Sequence, residues 1–137
     1  ASFLKENILP MQESGQLEFI KRSEGDLLKN SELGFDIFFA DGHTEKMMIP
    51  KIQYQGKTIC FMADLLPTAG HLPLPYVMGY DTRPLLTLPE KAKFLEEASA
   101  NNYYLWLEHD ANNQIITVED TEKGVRLKEV FSCEDIL

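Results

Sequence analysis

Three side chains able to bind a metal or move a proton recur in one setting: each comes directly after an apolar run that reads as a strand. His43 follows residues 33–40 within Asp41-Gly42-His43-Thr44. Asp64 follows residues 57–62, and His109 follows residues 103–107 within Glu108-His109-Asp110. If those strands share a sheet and end on one side of it, two imidazoles and a carboxylate converge at its rim. That donor set suits zinc, iron or manganese. Taken singly, each residue also has a plainer reading. A loop histidine is often just solvated, and an aspartate after a strand is commonly a turn residue or a helix cap.

Two further groups lie in the long proline-rich stretch of residues 65–88. His71, within Pro67-Thr68-Ala69-Gly70-His71-Leu72-Pro73, reads as a half-exposed loop residue or as a substrate contact or proton donor. Tyr80-Asp81-Thr82-Arg83 reads as a substrate clamp or as a salt-bridged turn before a helix. A structureless loop longer than about 12–15 residues is uncommon and often functional. No Gly-rich phosphate loop, nucleophile elbow or paired-cysteine zinc motif is present.

The elements that must position these groups are legible from periodicity. Residues 2–15 carry apolar positions near helical spacing, with Pro10 expected to bend or split the helix. Residues 17–20 read as a short strand, and residues 23–31 as a polar turn region. Pro50 splits residues 47–54 into flanking segments, which predicts a bent or edge strand. Gln55-Gly56 predicts a hairpin turn into residues 57–62. Residues 87–100 predict a helix with Thr87 or Leu88 as cap and Pro89 in the first turn. Ala92, Leu95 and Ala98 are its apolar stripe, and Glu96-Glu97 its solvated face. Residues 114–119 and 125–131 alternate like a hairpin around Lys123-Gly124. The reading is α and β mixed, in a single domain over residues 1–137.

Composition narrows the function. Lysine and arginine number 13 against 22 acidic residues, a formal net charge of −9. Such a surface repels phosphate backbones, so a general nucleic-acid-binding face is not expected. Apolar runs such as Ile59-Cys60-Phe61-Met62-Ala63 are far short of the roughly 18 residues of a membrane span. Lys5, Glu6 and Asn7 interrupt any secretory-signal pattern. Cys60 and Cys133 are too few for a disulfide framework. The expectation is a cytoplasmic protein with reduced thiols, and with Cys60 a buried apolar filler.

In their order and context, Asp41-Gly42-His43-Thr44, Phe61-Met62-Ala63-Asp64 and Glu108-His109-Asp110 resemble the second half of a metallo-β-lactamase-fold hydrolase. The opening helix and residues 80–98 are similar to the branch containing N-acyl-homoserine lactonases and organophosphate hydrolases. The resemblance implies one half of an αββα four-layer sandwich, a mixed or antiparallel sheet with flanking helices. It implies a dinuclear centre, usually zinc with manganese or iron as alternatives, whose hydroxide attacks a lactone, ester or amide carbonyl. By resemblance His43 binds the first metal, Asp64 bridges both ions and serves catalysis, and His109 binds the second. His71 or Tyr80 then contacts the small-molecule substrate, because Pro67 stands where lactonases of this group often carry a tyrosine.

The same family places a His-x-His-x-Asp-His signature in its first half, and this chain, whose 3 histidines are the widely separated His43, His71 and His109, does not contain it. The expectation is therefore a fragment of a metal-dependent hydrolase, weak or inactive alone. Its uncovered sheet face is expected to drive homo-oligomerisation. Two alternatives stand beside it: a non-enzymatic half-domain that binds a protein partner without metal, and a metal-free hydrolase using His71 and Asp81 as an acid–base pair.

Overall fold

A computed structural model describes residues 4–22 and 24–136. Its elements run α1 (Lys5–Glu13), β1 (Leu27–Leu28), β2 (Asp36–Ala40), β3 (Met47–Tyr54), β4 (Lys57–Phe61), α2 (Pro84–Asn101), β5 (Tyr104–Trp106), β6 (Ile115–Glu119), β7 (Arg126–Phe131) and α3 (Cys133–Ile136). The strands form one seven-stranded sheet whose spatial order follows the chain. This is the mixed α/β architecture with flanking helices that the sequence implies.

Pairing fixes strand direction. β2 is antiparallel to β3, β3 is antiparallel to β4, and β4 is parallel to β5. β2, β4 and β5 therefore point the same way, and their C-terminal ends share one edge of the sheet. The parallel pair needs a crossover, and α2 supplies it. That helix covers one face through Phe94, Leu95 and Ala98, all buried. They pack in one cluster with Phe38, Ile49, Cys60, Leu105, Ile116 and Val118 of β2 to β6. Phe38 and Phe94 meet edge to face, with ring centroids 5.2 Å apart.

Local departures from the sequence reading have physical causes. β3 runs unbroken through Pro50 inside the sheet, because its ladder to β4 begins only at Lys51. On that side the proline has no hydrogen bond to forfeit. α2 starts at Pro84, not near Thr87, with Arg83 at the N-cap and Pro89 inside the helix. Pro84 takes the first-turn position, where a missing N–H costs nothing. α1 likewise continues through Pro10, and residues 2 and 3 of that reading lie outside the described residues. Residues 17–20 form no strand, whereas Leu27–Leu28 pairs with β2 inside the supposed turn region. The Gln55-Gly56 turn is as expected, both residues having positive φ.

Two lysines are buried. Lys51 ion-pairs with Glu97 at 2.6 Å, so Glu97 is not simply part of a solvated helix face. Tyr103 closes that cluster by donating its hydroxyl to Glu97 at 2.8 Å. Lys91, on the inner side of α2, is 1% exposed. Cys60 is the expected buried filler, and burial pushes its thiol up to about 12.

Candidate metal centre

The shared edge of β2, β4 and β5 gathers the three chemical side chains. His43 leaves the end of β2, Asp64 sits in a short 3-10 turn (Ala63–Leu65) after β4, and His109 follows β5. His43 Nε2 is 3.1 Å from Asp64 Oδ2, and His109 Nε2 is 3.2 Å from Asp64 Oδ1. Each imidazole thus faces its own oxygen of one carboxylate. They open on a cavity of about 870 Å³ whose lining includes Met78, Tyr80 and Thr82.

The loop that carries His43 is clamped from α2. Both oxygens of Glu90 accept backbone hydrogen bonds, from Asp41 N at 2.8 Å and Gly42 N at 3.0 Å. Arg83 N donates to Gly42 O at 2.8 Å, and Thr82 N donates to His43 O at 3.1 Å. Gly42 is required by close approach: a Cβ there would lie 2.3–2.6 Å from Thr87 atoms. Its value is space for the helix N-terminus, not backbone freedom. The His109 loop is tied down from the other side. His109 N donates to Pro67 O at 3.1 Å, and Ala69 N donates to Asp110 Oδ2 at 2.9 Å. Burial opposes ionisation of Asp110, but hydrogen bonds from Ala69, Asn112 and Asn113 outweigh it and hold the carboxyl down to about 2.

Asp81, with a side chain 1% exposed, lies 2.9 Å from His43 Nδ1. A carboxylate at Nδ1 fixes the tautomer with the proton there, leaving the Nε2 lone pair aimed at Asp64. Sequence reasoning placed Asp81 in a clamp or opposite His71. The structure corrects the second idea, since Asp81 serves His43, and the His71 ring Nδ1 instead meets Thr68 Oγ1 at 2.8 Å. His71 is absent from the lining of the cavity, whereas Tyr80, 84% exposed, stands in it. Burial, then the nearby Lys91 charge, lowers the His71 pKa. Glu90 reads in the sequence as an acid favoured by the dipole near a helix N-terminus; that it clamps the His43 loop depends on partners 48 and 49 positions away.

The donor set fits a cation in part. Asp64 Oδ1 is buried and receives no hydrogen bond, although His109 Nε2 is 3.2 Å away. A ring nitrogen and a carboxylate oxygen so close yet unbonded turn lone pairs toward a common space. Two donors on one zinc at about 2.0–2.2 Å stand about 3–3.5 Å apart, the spacing seen here. Among the described residues, however, no three His, Cys, Asp or Glu side chains close around one point. Each imidazole with its oxygen makes half of a site.

The order of these elements and the rim they build define a class: one half of a metallo-β-lactamase-type fold. Solved structures bear this out. The hydrolase AbOPH of the beta-lactamase superfamily superposes with TM-score 0.72 at 18% identity, covering 93% of this chain and 43% of that one. AidC, a dizinc quorum-quenching lactonase solved with the product N-hexanoyl-L-homoserine, gives 0.71 at 20% identity, covering 93% and 42%. A probable metal-dependent hydrolase from Staphylococcus aureus gives 0.54 at 21%, covering 85% and 40%. The chain thus spans less than half the length of the structures it matches. No protein-family model matches the sequence. No curated protein matches it either.

Proposed function

We propose that this chain is the C-terminal half of a dinuclear metal-dependent hydrolase acting on a lactone, ester or amide. His43, Asp64 and His109 would hold the metal, with the Asp64 carboxylate set between the two imidazoles. The observation that carries this reading is the pair of contacts from two imidazoles to opposite oxygens of Asp64, at 3.1 Å and 3.2 Å. A cation bound there would supply Lewis acidity and lower the pKa of a water molecule beside it.

The chain's own residues do the remaining work. Asp81 keeps the His43 proton on Nδ1, and Glu90 and Thr82 hold the loop so that the ring cannot turn away. Tyr80 faces the open side of the cavity, where a carbonyl substrate enters, and is the substrate contact; His71 organises its loop. One imidazole and a shared carboxylate per ion is less than the three protein ligands usual for catalytic zinc. The chain by itself is therefore weakly active or inactive.

Cobalt(II) titration followed by visible absorption tests the reading. The expected result is a saturable d–d spectrum that both His43→Ala and His109→Ala diminish, with little or no turnover of lactones and esters by the loaded chain. A non-enzymatic, metal-free partner module predicts no saturable spectrum. A spectrum unchanged in both variants would also overturn the assignment.

A further inference from the structure

A second cavity, of about 570 Å³, lies between the proline-rich loop, α2 and the β6–β7 turn. Its volume is in the range of small-molecule sites, about 300–1,000 Å³. It shares no lining residue with the cavity of His43, Asp64 and His109. Leu72 and Leu74 of the loop, Leu95 of α2 and Val125 of the turn give it apolar walls.

Those walls are held in place. Lys91 Nζ donates to His71 O at 3.0 Å, Pro73 O at 3.3 Å and Tyr76 O at 2.7 Å, bracketing the loop segment that carries Leu72 and Leu74. A buried ammonium spent wholly on carbonyls makes the loop a fixed wall, so a ligand need not pay to order it.

One polar group stands apart. Arg126 is half-buried in the lining, and its Nη1 donates to Val125 O at 2.7 Å. Among the described residues its guanidinium has no carboxylate partner, in a chain with 22 acids to 13 bases. Lys123 stands at the same rim, as do the exposed Glu96 and Asp120. Two cations and two carboxylates leave the lining with no net charge, which disfavours multiply charged anions. A guanidinium fork matches a single carboxylate in charge and shape.

We propose that this cavity binds an aliphatic monocarboxylate, its tail against Leu72, Leu74, Leu95 and Val125 and its carboxylate on Arg126. The site is independent of the metal-centre reading and stands or falls separately.

Isothermal titration calorimetry with decanoate, below its micelle concentration, tests it on the whole chain. The expected result is saturable one-to-one binding, weakened about tenfold or more by Arg126→Gln. Decanol is expected to bind as weakly as decanoate binds that variant. Ala100→Trp, a substitution at an exposed helix position on the cavity lining, is expected to abolish binding while leaving the melting temperature near wild type. Absence of saturable binding overturns the proposal. So does equal binding by wild type, Arg126→Gln and Ala100→Trp, which would put the amphiphile on the open aromatic face of the sheet.

Discussion

The two faces of the sheet are finished to different degrees. On the α2 side Phe38, Ile49, Cys60, Phe94, Leu105 and Ile116 are all at most 2% exposed. On the other side Ile59 and Ile115 are buried, but Tyr54, Tyr104, Trp106 and Phe131 are only partly so. Met48 and Ile52, on the same side by strand alternation, remain 46% and 40% exposed. One face has its helix layer within the chain. The other carries partly exposed aromatic pairs, with Phe61 and Trp106 centroids 6.5 Å apart and Tyr104 and Phe131 5.4 Å apart. The better-covered face is thus the one that carries α2, and the other leaves apolar surface uncovered.

The largest effect should come from the finished face. Phe94→Ala empties a site with no exposure and removes the edge-to-face contact with Phe38, so a loss of about 3–5 kcal/mol is expected in urea denaturation. A loss below about 1 kcal/mol would show that this core is looser than its burial indicates.

Gly42→Ala should come next, because its methyl meets Thr87 backbone at 2.4–2.6 Å rather than a yielding side-chain tip. About 2–3 kcal/mol is expected from overpacking, together with a large weakening of metal uptake as the His43 loop is pushed off Glu90. Unchanged uptake would mean that the loop has another way to seat.

On the open face, Trp106→Ser should cost less stability than Phe94→Ala but should change assembly. We propose that a second copy of the chain covers this face in solution, since uncovered apolar patches of this kind favour association. Size-exclusion chromatography with light scattering is expected to show concentration-dependent dimers that the substitution disperses. A wild-type monomer at high concentration would contradict the proposal.

The smallest effect is a pH dependence tied to Lys91. Burial is the main cause that brings its ammonium down to about 8 from 10.5. Between pH 8 and 10.5 the unfolded chain then holds more protons at this site than the folded one. Its contribution to stability accordingly rises with pH across that window. Cys60 and Tyr103, both raised, act in the opposite sense at the alkaline end. The comparison to make is wild type against Lys91→Met, and the difference in denaturation midpoint should move in the wild type's favour from pH 8 to pH 10. A constant difference would remove Lys91 from the account.

Much of this architecture is legible in the sequence. The strands that end at Ala40, Phe61 and Trp106, the Gln55-Gly56 turn and the closing hairpin follow from alternation and turn chemistry, which are local signals. The convergence of His43, Asp64 and His109 follows from the sequence only if their strands run the same way, and strand direction depends on pairings that no local pattern encodes. Pro50 misled for the same reason: whether a proline is tolerated depends on which neighbouring strand lacks a bond to it. Lys51 and Lys91 were invisible as buried groups, since a lysine is buried only when distant partners such as Glu97 or the 71–76 carbonyls meet it. The Asp81–His43 pair spans 38 positions, and nothing local singles out His43 over His71 as the partner.

The most direct test of the central claim is zinc titration of the metal-free chain by calorimetry, with Asp64→Asn beside it. Saturable uptake that is lost or weakened at least tenfold in Asp64→Asn, while the variant's circular dichroism stays native, is the predicted result. Equal uptake by wild type and Asp64→Asn, or none by either, would contradict a shared carboxylate at the centre of this site.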